Sequence, residues 1–143
     1  MTSTKRKRIV FFNRWTHQDG QDLLESFPEV DLKHLSWDAP EEENWLVLGA
    51  AHGYQVSSAR QELPPNYHVT SEFLAKCPEL LAVSADGAGY DTVDVEECTD
   101  AGIVVVNQSG ANREAVAEHV LGMILCLSKR MVEMDRAMRR NRD

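Results

Sequence analysis

The feature that most constrains this chain is a repeated alternation of short, almost wholly apolar runs with segments that carry turn residues or helical periodicity. Ile9-Val10-Phe11-Phe12 is a continuous β-branched and aromatic run, the pattern of a strand buried on both faces. Asp19 to Ser26 then has helical character, with Leu23, Leu24 and Phe27 on one side. Val30 to Leu35 alternates apolar with polar, as a half-buried strand at or near a sheet edge does, ahead of a loop from Trp37 to Glu43. Leu46 to Ala50 reads as a third strand, and Ala51 to Tyr67, with Gly53, Pro64 and Pro65, as loop. Thr70 or Ser71 caps a short helix through Cys77, Leu80 to Ser84 is a fourth strand, Val93 to Thr99 a helix closed by Gly102, and Ile103 to Val106 a fifth strand. Mostly apolar strands separated by helices specify an α/β fold, a flavodoxin-like, doubly wound parallel five-stranded sheet.

Beyond the fifth strand the pattern changes to a single period. From Asn112 to about Arg140 the apolar residues Val116, Val120, Met123, Leu127, Met131, Met134 and Met138 recur every three or four positions, which predicts one long α-helix. Such a helix runs roughly 40 Å at 1.5 Å per residue and outreaches a domain of this size, so its apolar stripe needs another chain or further sequence to pack against. The alternative is a helix broken near Gly122 or frayed after Lys129.

Charge and cysteine usage narrow the classes of function. The net charge of −8 is made of +4 at Lys5 to Arg8, −15 from residue 9 to 128 and +3 from residue 129 to 143. A body this acidic argues against nucleic acid, which demands a continuous basic surface. No apolar run approaches the roughly 20 residues of a membrane span, so neither a membrane nor an export signal is expected and the expected location is cytoplasmic. Cys77, Cys98 and Cys126 lack metal-ligand or redox spacing, so buried, reduced thiols and no metal site are expected.

In doubly wound sheets ligands bind beyond the carboxyl ends of the strands, which singles out the loops Asn13 to His17, Gly49 to Tyr54, Asp86 to Asp91 and Asn107 to Asn112. Asp86-Gly87-Ala88-Gly89-Tyr90-Asp91 sets two glycines after a buried strand, where bare backbone can approach an anion; a tight turn without ligand is the plain alternative. It is not a dinucleotide fingerprint: Thr92 stands where the third glycine belongs, and about twenty residues on, where an acid holds the ribose, the chain reads Val106-Asn107-Gln108. A phosphoacceptor receiver domain is excluded by Asn13-Arg14-Trp15 after the first strand, which holds no acidic cluster.

The stretch Leu80-Leu81-Ala82-Val83-Ser84-Ala85-Asp86-Gly87-Ala88-Gly89-Tyr90-Asp91-Thr92-Val93-Asp94, with Gly102 to Asn107 and Gly110-Ala111-Asn112-Arg113-Glu114-Ala115-Val116-Ala117-Glu118-His119, closely resembles the D-isomer-specific 2-hydroxyacid dehydrogenases. The motifs cover residues 80 to 132, and a looser likeness to the family's N-terminal lobe begins at Ile9. The resemblance implies an oxidoreductase moving a hydride between a D-2-hydroxy acid or 2-keto acid and NAD or NADP. It implies a substrate-binding lobe over residues 1–107, then a hinge and the first long helix of the cofactor lobe over 108–143. Substrate binding falls to Gly87, Ala88, Gly89 and Asn112, with His52 and Tyr54 as further candidates after the third strand, and cofactor contact to Asn112 and Val116. The family's catalytic Arg, Glu and His and its cofactor fingerprint follow the long helix, so no catalytic residue is assigned here and the chain alone is expected to be inactive. Glu118 and His119 are expected to pack or to hydrogen-bond rather than react. A homodimer through helix 112–140 is implied; the competing reading is a non-catalytic flavodoxin-like binding or assembly module that pairs through the same helix.

Overall fold

The computed structural model describes residues 6–13, 15 and 17–140. Five strands, β1 (Lys7–Phe12), β2 (Val30–Leu35), β3 (Gly53–Val56), β4 (Ala82–Ala85) and β5 (Val104–Val106), pair in parallel in the order β2-β1-β3-β4-β5. The connecting helices are α1 (Gln18–Glu25), α2 (Glu41–Leu48), α3 (Ser71–Lys76) and α4 (Val95–Asp100). The expected parallel five-stranded α/β sheet is therefore present, with the alternating Val30–Leu35 segment at one edge. The chain divides into two compact units, Met1–Ser109, which holds the sheet, and Gly110–Asp143.

The third strand is not where the sequence pattern puts it. Leu46 lies in α2, and the strand is Gly53–Val56, inside the segment read as loop. Helix α2 starts after Pro40 with Glu41, Glu42 and Glu43 in its first turn, where acidic side chains complement the helix dipole, and Trp45 Nε1 donates to Glu41 Oε1 at 2.8 Å one turn back. Its apolar residues serve a helix face: Leu48 is buried while Leu46 is 78% exposed. Gly53 suits a strand because a β-carbon there would stand 3.5 Å from Ile9, an ordinary contact with β1.

The core is aromatic on one face of the sheet. Tyr54 stacks on Phe73 at 5.2 Å, Phe12 meets Tyr67 at 4.4 Å, and Trp45 bridges Tyr67 and Phe73 while Lys76 Nζ caps its ring at 4.2 Å. Fully buried rings of this kind contribute about 2–3 kcal/mol each. Asn44, buried among them, donates to the Ser36 carbonyl at 2.9 Å and to Tyr67 Oη at 3.1 Å, which satisfies both amide hydrogens. Helix α3 is capped by Thr70, whose Oγ1 accepts from Phe73 N, and α4 ends at Gly102 with φ +73, the left-handed position that glycine fills without strain.

In the second unit the expected single helix is two, α5 (Arg113–Ser128) and α6 (Met131–Arg140). The interruption is at Arg130, with φ 51, rather than at Gly122, which continues the helix. The expected single stripe is not there: the apolar residues of α5 lie all round the helix, Leu121, Ile124 and Leu125 being exposed as well as Val120 and Met123, and only α6 is one-sided. No residue of this unit is buried among those described, and Glu118 and His119 are exposed. Among the described residues no helix is long and apolar enough to cross a membrane, and no three His, Cys, Asp or Glu gather as for a metal ion.

Candidate active site at the carboxyl ends of the strands

The correction to β3 moves a loop. Because the strand begins at Gly53, His52 lies at the amino end of the sheet, where its Nδ1 accepts from Arg8 N at 3.1 Å. Tyr54 is within the strand, 1% exposed, its hydroxyl donating to the Tyr67 carbonyl at 3.3 Å. Burial, with the nearby Cys77 and Tyr67 groups, raises the Tyr54 phenol well above its ordinary pKa, so it remains a donor. Neither residue therefore stands in a loop after the third strand, but Tyr54, unlike His52, is among the residues that line a crevice at the carboxyl ends of the strands. The segment that does is Ser57 to Arg60, which the sequence pattern did not single out.

This loop and the one after β4 are joined by side chains. Thr92 Oγ1 donates to the Ser57 carbonyl at 2.6 Å, Ser58 N donates to Asp86 Oδ1 at 2.9 Å, and Arg60 Nε donates to the Asp91 carbonyl at 2.9 Å. Gly87 sits tightly against Ser58: a β-carbon at 87 would stand 2.7 Å from Ser58 Oγ, whereas one at Gly89 would meet nothing closer than 3.8 Å. Neither glycine has a positive φ, so it is close approach rather than backbone conformation that asks for glycine at 87.

The loop after β4 is also held from the β5 side. The Gly87 carbonyl accepts from Gln108 N at 2.9 Å and the Ala88 carbonyl from Asn107 Nδ2 at 2.9 Å. Among the described residues no acceptor is set against the amides of Gly87, Ala88 and Gly89, and Ala88 and Gly89 are exposed. A loop whose carbonyls are engaged and whose N–H groups are free is a donor surface, suited to a carboxylate or another small anion.

A crevice of about 320 Å3 opens at the carboxyl ends of β1, β3 and β4, lined in part by Phe11, Phe12, Asn13, Trp37, Glu62 and Asp86. Asn13 shapes its rim from a left-handed conformation, φ 53, with its N donating to the Leu35 carbonyl and its Oδ1 accepting from Trp37 N. Ser57 Oγ donates to Glu62 Oε2 at 2.7 Å across the mouth of β3. The remaining assigned residues belong to the second unit: Asn112 precedes α5 without a side-chain capping bond, after Gly110 at φ +83, and Val116 is 51% exposed on the first turn.

The fold is a five-stranded parallel α/β sheet with a crevice at its carboxyl end and, after β4, a turn whose N–H groups meet no acceptor among the described residues. Residues 9–137 match the model of the D-isomer specific 2-hydroxyacid dehydrogenase catalytic domain, and the chain belongs to that family. It is 30% identical over 129 residues to a glyoxylate reductase of Thermococcus litoralis, covering 90% of this chain and 37% of the relative. It is 37% identical over 111 residues to a D-3-phosphoglycerate dehydrogenase of Mycobacterium bovis, covering 76% of this chain and 20% of that protein. Among solved structures, the PH0520 protein of Pyrococcus horikoshii OT3 superposes with a TM-score of 0.73 at 30% identity, over 94% of this chain and 37% of the other. A D-lactate dehydrogenase from Aquifex aeolicus, complexed with NAD and lactic acid, gives 0.68 at 27% identity, over 94% and 38%. The chain thus spans well under half the length of these relatives.

Proposed function

We propose that residues 1–107, which fall within the compact unit Met1–Ser109, form the substrate-binding lobe of an oxidoreductase that moves a hydride between a D-2-hydroxy acid or 2-keto acid and NAD or NADP. The observation that carries this reading is the loop after β4. Its exposed Ala88 and Gly89 amides have no acceptor among the described residues, while the Gly87 and Ala88 carbonyls are engaged by Gln108 and Asn107. Oriented N–H donors hold a substrate carboxylate without a cation, and loop rigidity from both sides means little ordering is left to be done on binding.

The nicotinamide, when bound, supplies or accepts the hydride. Of this chain, Asn112 and Val116 are the residues assigned to it; the Gly87–Gly89 loop is not, since it lacks the third glycine and the distal acid of a dinucleotide fingerprint. Residues 108–143 supply the hinge and first helices of a cofactor lobe, and their exposed apolar residues, Val116, Val120, Met123 and Leu127 among them, form the surface through which two copies pair. The reaction also needs a base and a cation at the carbonyl, and no residue here is assigned either role.

The test is an NADH-oxidation assay with a panel of 2-keto acids on the product of the whole reading frame, beside titration calorimetry of NAD into residues 1–143. Keto-acid-dependent oxidation by the former and weak or absent NAD binding by the latter are expected. Tight, stoichiometric NAD binding by the 143 residues would overturn the division of roles.

A further inference from the structure

The crevice beside the carboxylate loop is one-sided in its charge. Phe11, Phe12 and Trp37 give it aromatic walls, and the charged residues in its described lining are two carboxylates, Glu62 and Asp86. Each accepts a hydrogen bond from a neutral donor, Ser57 Oγ for Glu62 at 2.7 Å and Ser58 N for Asp86 at 2.9 Å. Neither takes part in an ion pair among the described residues. Arg60, two positions before Glu62, lines a separate depression and spends its Nε on the Asp91 carbonyl.

Asp86 lines the crevice and opens the turn, two residues before Ala88, and its Oδ1 accepts from Ser58 N of the loop that leads to Glu62, so a molecule whose carboxylate is held at Ala88 and Gly89 and whose remaining atoms extend into the crevice meets this wall. We infer that the substrate carries no second anionic group, Glu62 and Asp86 being the residues that exclude a side-chain carboxylate or phosphate. The inference rests on the carboxylate-loop reading above. Like charges brought into one crevice repel, here by an expected cost of about tenfold in affinity that salt reduces because Glu62 is exposed, and the walls offer a second anion no compensating cation among the described residues.

The probes are 2-oxopentanoate and 2-oxoglutarate, which have the same length and differ by a terminal carboxylate in place of a methyl. Each is titrated into the full chain while the Ala88 and Gly89 amide resonances are followed. The expected result is that both amides shift with 2-oxopentanoate and that 2-oxoglutarate binds about tenfold more weakly, the gap narrowing at high salt and in Glu62→Gln and closing in Glu62→Lys. Equal or tighter binding of 2-oxoglutarate at the same amides overturns this inference and leaves the carboxylate loop standing. Absence of any shift with either acid removes the loop reading, and this inference with it.

Discussion

The Oγ of Ser58 lies 2.7 Å from where a β-carbon on Gly87 would stand, so the loops after β3 and β4, besides the hydrogen bonds that join them, are in close contact at this hydroxyl. The obstruction is the end of a short side chain, since Ser58 Cβ would be 3.5 Å away, an ordinary contact. Gly87→Ala is therefore expected to force a rotamer change in Ser58 whose cost, about 0.5–1.5 kcal/mol, roughly cancels the gain from a stiffer unfolded chain. In a Ser58→Ala background the cost disappears, and the same substitution should stabilise by about 0.4–1 kcal/mol. A double-mutant cycle in urea checks this; additive effects of the two changes would mean that the loops do not touch here.

Gly89 has the room that Gly87 lacks, so size rather than substitution itself should matter there. Gly89→Ala is expected to leave thermal stability within about 0.5 kcal/mol. Gly89→Val, β-branched and beside the free amides, is expected to raise KM for the 2-keto acid severalfold in the active product before it lowers Tm. An unchanged KM would take this loop out of the site.

Tyr54 provides the converse test. Its hydroxyl is buried and donates to the Tyr67 carbonyl, so Tyr54→Phe should cost about 1 kcal/mol of stability and leave KM as it was. A severalfold change in KM with native stability would return Tyr54 to the substrate site.

The two sides of this comparison were unequally legible in the sequence. The β4 loop and the Val30–Leu35 edge strand follow from local pattern, since strand burial and glycine placement are short-range properties. The third strand did not follow, because a five-residue apolar run has no period of its own and fits a helix face as well as a strand. The signal that separates the two was present in Pro40 followed by Glu41, Glu42 and Glu43, a helix start by dipole and proline placement. Missing it shifts the loop after β3 and hides Ser57, Ser58 and Arg60, and it places His52 beside Tyr54 in one loop, whereas His52 stands at the amino end of the sheet and Tyr54 lines the crevice from within β3. The interruption at Arg130 had no such signal: an arginine at φ 51 is an exception to backbone preference, and nothing in its neighbours announces it.

Thiol reactivity should separate the three cysteines cleanly. Burial pushes the Cys77 thiol up to about 11, and burial together with Asp94 and Glu97 raises Cys98, whereas Cys126 is exposed. Only the thiolate reacts, so at pH 8 the native chain should take one label, at Cys126, and three in denaturant. Labelling of Cys77 or Cys98 as fast as Cys126, read by peptide mass, would contradict the buried placement of α3 and α4.

The pH dependence of stability should show the ion pairs of Asp31 in β2, one with Lys33 of the same strand and one with Arg8 of β1. Asp31 accepts from Lys33 Nζ at 2.8 Å and from Arg8 Nε at 3.2 Å. The Lys33 hydrogen bond holds its carboxyl below the ordinary aspartate value, with desolvation opposing and Arg8 assisting. A folded-state pKa below the unfolded one means that the unfolded chain binds the proton more readily, so the contribution is complete above the unfolded value, about 3.9, and is lost as pH falls through the lower, folded value. Because Arg8 and Lys33 remain partly exposed, the contribution at neutral pH should be below about 1 kcal/mol and should shrink with salt. Comparing Asp31→Asn with the native chain by urea denaturation should give a constant gap between pH 5 and 7 that narrows below about pH 4. A gap that instead widens on acidification would mean that the carboxyl is stabilised in its protonated form, and would reverse the assignment of Lys33 and Arg8 as its partners.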